Sequence, residues 1–212
     1  MTDGHQERAA PLWPPSVVPS RAGMSAHAEP LDALDRYDVG EVVYAGTNSV
    51  VHRGRRRADD LPVFLKRHRS AHPTAAEVAR CERDFALGRR AQGEGTVAYL
   101  DLVRDGAGLA VVTGDTGRTA LAQHLTPGRA LDVLVALRVG AAIARSLAAV
   151  HARGVVHGDI KPQNIITDLR GDEAPLVDFG AASTLSRLNE RVAPADGFGG
   201  TSRTSRRSRP GG

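Results

Sequence analysis

With a single cysteine, Cys81, the chain cannot form an internal disulfide, and a reducing compartment is expected. Cysteine and histidine clusters of zinc-binding spacing are missing as well. Aromatic residues make up only 4% of the chain, so a packed core has to rely on Leu, Val and Ala. No secretory leader is legible: the first apolar patch, Leu12 to Val18, is broken by Pro14 and Pro15 and lacks a Lys/Arg-rich start. An uncharged run of membrane length is lacking too, because the longest apolar stretch, 131–150, carries Asp132, Arg138 and Arg145. These absences exclude a disulfide scaffold and a zinc module, and they make the cytoplasm the expected location.

What is present is ordinary for a globular protein. The 212 residues suffice for one or two domains, and 41% hydrophobic with 25% charged residues allows a sizeable core. The formal net charge of +4 is concentrated in Arg-rich patches at 53–57 and 203–209. Solvated surface accounts for those patches more simply than nucleic-acid binding, so neither nucleic acid nor membrane is expected as a partner.

Taken in order, residues 1–35 are rich in Pro, Ala and polar side chains without periodicity and read as a disordered leader, within which Met24 is an alternative start. From Tyr37 to Lys66 the pattern is strand-like, with Val42-Val43-Tyr44, Val50-Val51 and Val63-Phe64-Leu65 separated by turn residues. Thr74 to Arg90 reads as a helix opened by Thr74 and Glu77 in capping-box spacing. Helical spacing puts Glu77, Cys81, Asp84 and Gly88 on one face of it, with Glu82 well round from Asp84. Val97 to Val112 reads as a hairpin turning at 105–108. Leu131 to Arg153 is the clearest helix, with Leu134, Leu137, Ala141, Ala144, Ala148 and His151 on one face and Gly154 as its stop. Residues 187–212 hold Arg, Ser, Gly and Pro and read as a disordered basic tail.

The chemistry is concentrated between His157 and Gly180. The stretch His157-Gly158-Asp159-Ile160-Lys161-Pro162-Gln163-Asn164 leads through an apolar hairpin to Asp178-Phe179-Gly180. Any one Asp, Asn or Gly here reads as a turn former. The joint spacing, H-x-D-x-K-x-x-N followed by D-F-G, resembles the catalytic and metal-binding loops of the protein kinase family. Lys161 and Pro162 resemble the Ser/Thr protein kinases, whereas Gly158, where the family carries Arg, is similar to aminoglycoside phosphotransferases. The wording of Tyr44 to Gly54 also looks like the N-terminal kinase domain of large bacterial multidomain kinase/ATPase/sensor proteins.

The resemblance implies ATP and Mg²⁺ as cofactors and gives each residue a role. Asp159 would orient the acceptor hydroxyl and Lys161 would meet the γ-phosphate, while Asn164 and Asp178 would supply oxygen ligands suited to Mg²⁺. Lys66, at the end of Val63-Phe64-Leu65-Lys66, stands where the family holds the α- and β-phosphates. Its acidic partner is open between Glu77, Glu82 and Asp84, with Asp84 favoured. Tyr44, Gly46 and Ser49 occupy the three positions of the family's phosphate-covering glycines, with Val51 at its valine position.

The expected fold is therefore α+β and kinase-like: a complete small lobe with hinge over 36–117 and a truncated large lobe over 118–186. On that reading the apolar backs of the 131–153 helix and of the 165–177 hairpin lie exposed. The expected function is phosphoryl transfer from ATP to Ser/Thr of a protein substrate, impaired by truncation. The alternatives are a non-catalytic nucleotide-binding or scaffold module and a small-molecule phosphotransferase.

Overall fold

The computed structural model describes residues 33–185. A 3₁₀ turn, Ala33–Arg36, precedes the first strand, so ordered structure begins slightly inside the expected leader. The rest of that leader and the expected basic tail lie outside the described residues.

Five strands form one antiparallel sheet: β1 (Tyr37–Ala45), β2 (Ser49–Arg56), β3 (Leu61–His68), β4 (Tyr99–Asp105) and β5 (Gly108–Gly114), in the order β1-β2-β3-β5-β4. The helix α1 (Ala75–Ala91) crosses over from β3 to β4. Its start is fixed as the sequence suggests: Thr74 Oγ1 accepts from the Glu77 amide, and the Glu77 carboxylate accepts from the Thr74 amide.

Along β3 the side chains alternate. Val63 and Leu65 are fully buried with Tyr37, Val103, Ala110 and Val112, which places Lys66 on the opposite face, towards α1. A register irregularity between Tyr99 and Asp101 breaks the same alternation in β4, so Tyr99 belongs to the α1 side while Val103 belongs to the other.

Beyond the sheet come β6 (Thr119–Ala120), the short α2 (Leu121–His124), the long α3 (Val133–Ala152), β7 (Val155–Val156), β8 (Ile166–Thr167) and β9 (Ser183–Thr184). Asp132 caps α3 by accepting from the Leu134 and Val135 amides, and Gly154, at φ +70°, ends it. The pairs β6–β8 and β7–β9 frame the loop between His157 and Ile165 and the segment around Asp178.

Two sequence expectations change here. The face of α3 that packs is Val139, Ala142, Ser146 and Val150, whereas Leu134 and Leu137 are 63% and 65% exposed. The exposed apolar back of this helix is therefore present. That of the 165–177 hairpin is not, since Ile165, Ala174 and Leu176 are buried in the main core. Leu176 bridges to both Ile165 and Thr96, and so closes the hairpin against the segment after α1. By length and mean hydropathy of 1.8 α3 would suffice to span a bilayer, and in this fold only the face of Val139, Ala142, Ser146 and Val150 is buried.

Candidate active site

Lys66 is the hub. Register pairs it with Val51 on β2 and Val111 on β5, which puts the three side chains on one face of the sheet. From there its ammonium reaches Asp84 at 2.8 Å and Asp178 at 2.6 Å. Of the three acids open in the sequence, Asp84 is thus the one in contact with Lys66, while Glu77 serves the α1 cap and Glu82 is exposed. Burial pulls the Lys66 ammonium down, but Asp84 and Asp178 more than offset it and hold the group above the usual lysine range. For Asp178, burial pushes the carboxyl up, and Lys66 reverses this to leave it below the usual carboxylate range.

Asp84 is 2% exposed and fully engaged. One oxygen accepts from Lys66; the other accepts from the Tyr99 hydroxyl at 2.9 Å and the Phe179 amide at 2.7 Å. The Tyr99 hydroxyl in turn accepts from the Asp178 amide at 3.1 Å. Asp178 lies in the left-handed region at φ +67°, a conformation costing on the order of 1–3 kcal/mol for a residue with a side chain. Its carboxylate turns back towards Lys66 and the Gly180 amide.

The loop from His157 to Asn164 is braced from beneath. His157 is buried against Phe179, and its Nε2 contacts the Val177 carbonyl at 2.9 Å while its Nδ1 accepts from the Asp159 amide. Those two contacts assign the ring proton to Nε2. Asp159 Oδ2 accepts from Lys161 at 2.6 Å and from the Asn164 side-chain amide at 3.1 Å. The Asn164 carbonyl accepts from the Val177 amide, which sets Asn164 beside the residue preceding Asp178. With its Nδ2 committed to Asp159, Asn164 has Oδ1 to offer a cation, and Asp178 adds a carboxylate from the neighbouring segment. Two hard oxygen donors fit a magnesium ion that retains most of its waters.

Gly46 sits apart from this cluster, at the β1–β2 turn, whereas Val51 on β2 is the register partner of Lys66. The Gly46 amide closes the turn on Ser49, and its carbonyl accepts from Arg69. Tyr44 lies over the turn, its hydroxyl 2.8 Å from where a Cβ at 46 would be.

A family model of the protein kinase domain matches residues 37–203. The chain belongs to the protein kinase family. The match extends past residue 185, where the resemblance legible in the sequence stopped, into residues outside the described structure. The chain is 33% identical over 183 residues to CBL-interacting protein kinase 22 of rice, covering 78% of this chain and 40% of that protein. It is 35% identical over 160 residues to Serine/threonine-protein kinase PkaB of Streptomyces coelicolor, covering 71% and 37%. Serine/threonine-protein kinase pkn2 of Myxococcus xanthus is 32% identical over 122 residues, 54% of this chain and 14% of that protein. The chain thus spans about two fifths of the length of the first two relatives.

Within the kinase fold, Gly158 has a local cause. It adopts φ +78°, and a Cβ there would come within 2.7 Å of the Ala181 carbonyl oxygen. The backbone after Asp178 occupies the space into which a side chain at 158 would project. The residue that sequence reasoning passed over is Tyr99, which reads as one more strand aromatic. Its signal was the small Gly88 on the same α1 face as Asp84.

Proposed function

We propose that this kinase-fold chain binds ATP with magnesium and transfers the γ-phosphoryl group to a serine or threonine hydroxyl of a protein. The observation that carries this reading is the ammonium of Lys66 held between Asp84 and Asp178, with Asn164 of the Asp159–Lys161–Asn164 loop bonded to Val177, the neighbour of Asp178. In it, residues 36–117 act as small lobe and hinge and 118–186 as the part of the large lobe bearing the catalytic loop. Lys66 fixes the α- and β-phosphates, Val51 covers the base from β2, and Gly46 lies over the phosphates. Asp159 orients the acceptor hydroxyl and takes up its proton, and Lys161, already on Asp159, supplies positive charge to the transferred group. Asp178 and Asn164 would hold the magnesium ion, which when bound neutralises charge on the phosphates. The named Ser/Thr kinases among the relatives support protein hydroxyls as acceptors.

A second reading has its own support: Tyr44 lies over the turn at Gly46, where a phosphate would approach the backbone, and this favours a non-catalytic nucleotide-binding or scaffold module. The small-molecule phosphotransferase reading rested on Gly158, which the contact with Ala181 accounts for locally.

Thermal-shift titration with ATP and Mg²⁺ tests binding: the melting temperature rises for the wild type, and the magnesium-dependent part of the rise is lost in Asp178→Asn. Radiolabelled ATP offered with casein-like protein and with an aminoglycoside tests transfer. Label on the protein supports the first reading, binding without label supports the second, and label on the small molecule alone overturns both.

A further inference from the structure

We propose that Tyr99 is a positioning residue whose hydroxyl locks the Asp84 carboxylate and the backbone at Asp178 into one unit with Lys66. The inference rests on the reading of Lys66 and Asp178 as a nucleotide site.

Tyr99 is 1% exposed, so its hydroxyl has to find its partners within the protein. It finds two: it donates to Asp84 Oδ1 and accepts from the Asp178 amide. Burial and the neighbouring Asp84 keep its proton on, well above the ordinary tyrosine range, so the donor role persists at any physiological pH. Asp84 Oδ1 also takes the Phe179 amide, so the hydroxyl, one carboxylate oxygen and two consecutive backbone amides form a closed arrangement. The second oxygen of the same carboxylate holds Lys66.

The ring reaches this place because α1 makes room for it. A Cβ on Gly88 would stand 2.4 to 2.6 Å from three atoms of the Tyr99 ring, so no larger residue fits at 88 while the ring is there. Gly88 lies four residues, about one helical turn, after Asp84 on the same face. One turn of α1 therefore supplies the acid and the next supplies the gap, and Tyr99 joins them from β4. On its other edge the ring meets Phe179 in a T-shaped contact with centroids 5.9 Å apart. Phe179 in turn packs on His157, with ring centroids 4.6 Å apart. An aspartate has one methylene fewer than glutamate and reaches less far from α1. Hydrogen bonds on Oδ1 from β4 and from Phe179 aim its other oxygen at Lys66 and remove its freedom to turn away.

Backbone hydrogen exchange of the full chain, wild type against Tyr99→Phe, reads this directly. The variant keeps the ring and deletes the acceptor of the Asp178 amide. Exchange at Asp178 and Phe179 is expected to accelerate roughly five- to tenfold, the worth of one net hydrogen bond, with the amides of β5 and α1 unchanged. Unchanged exchange at 178 and 179, or acceleration spread evenly over β4, β5 and α1, overturns the proposal and leaves Tyr99 a packing residue. A second reading needs no variant: in the wild type the Phe179 amide proton, bonded to a buried carboxylate, resonates well downfield and is strongly protected. An ordinary shift with fast exchange also overturns it. Magnesium–ATP affinity, weakened several-fold in Tyr99→Phe, connects the lock to the site. Failure of the wild type to bind defeats the nucleotide reading, whereas equal affinity in both proteins defeats the role of Tyr99.

Discussion

At the scale of single residues, two side chains show how position overrules type. Gly158 stands where kinases carry arginine, and its left-handed backbone against the Ala181 carbonyl leaves no space for any side chain. Gly158→Arg should cost about 1–3 kcal/mol from backbone strain alone, with the clash adding to it, measurable as a lower urea midpoint. Cys81 is half-buried on α1, and its thiol donates to the Leu109 carbonyl. Burial first, then the nearby Asp84, pushes its pKa from 9.0 to about 12. A group raised in the folded state favours folding fully below its unfolded value, so this contribution is intact below pH 9 and is lost as pH rises towards 12. Iodoacetamide should therefore leave native Cys81 unmodified at pH 8 and label it in urea; rapid native labelling at pH 8 would contradict the burial argument.

Single elements carry the next set of consequences. The reciprocal Thr74–Glu77 contacts satisfy amides that α1 cannot satisfy internally, so Thr74→Ala should destabilise the protein by about 1 kcal/mol in chemical denaturation. In α3 the two faces should respond oppositely. Val150 is fully buried, and Val150→Ala should cost roughly 2 kcal/mol from lost methyl burial and the cavity left behind. Leu134 is on the exposed face, so Leu134→Lys should change stability by no more than about 0.5 kcal/mol and should improve solubility. Similar losses for both variants would mean that the exposed face of α3 is covered in solution.

Across the whole molecule one core joins what the sequence presents as separate pieces. Ala91, Val97, Tyr99 and Val111 from the sheet side pack in the same cluster as Val139, Val150, Ile165, Leu176 and Phe179. Phe179 is its crossing point, fully buried between Tyr99 and His157. Phe179→Ala should cost about 3–5 kcal/mol and make urea unfolding less cooperative, seen as a smaller dependence of stability on urea concentration. A single sharp transition with little loss would show that the two sides hold together without it.

The sequence alone made the main strands and helices legible and located the two loops that resemble those of kinases. Period-two alternation, the Thr74–Glu77 cap, the Gly154 stop and the spacing from His157 through Asp178 are local patterns, legible wherever the chain folds. It also offered three acids as the partner of Lys66 and favoured Asp84, because helical spacing turns Glu82 away from the face that Glu77 and Asp84 share. Tertiary structure decided the rest. Which face of α3 packs depended on which of two apolar faces meets the hairpin closed by Leu176, and helical periodicity alone does not rank them. The direction of Tyr99 depended on an irregularity in β4 that moves a side chain from one sheet face to the other. That shift brings its hydroxyl to Asp84 and Asp178, residues distant in sequence, and contacts of that kind exist only once the sheet, α1 and the Asp178 segment are packed together.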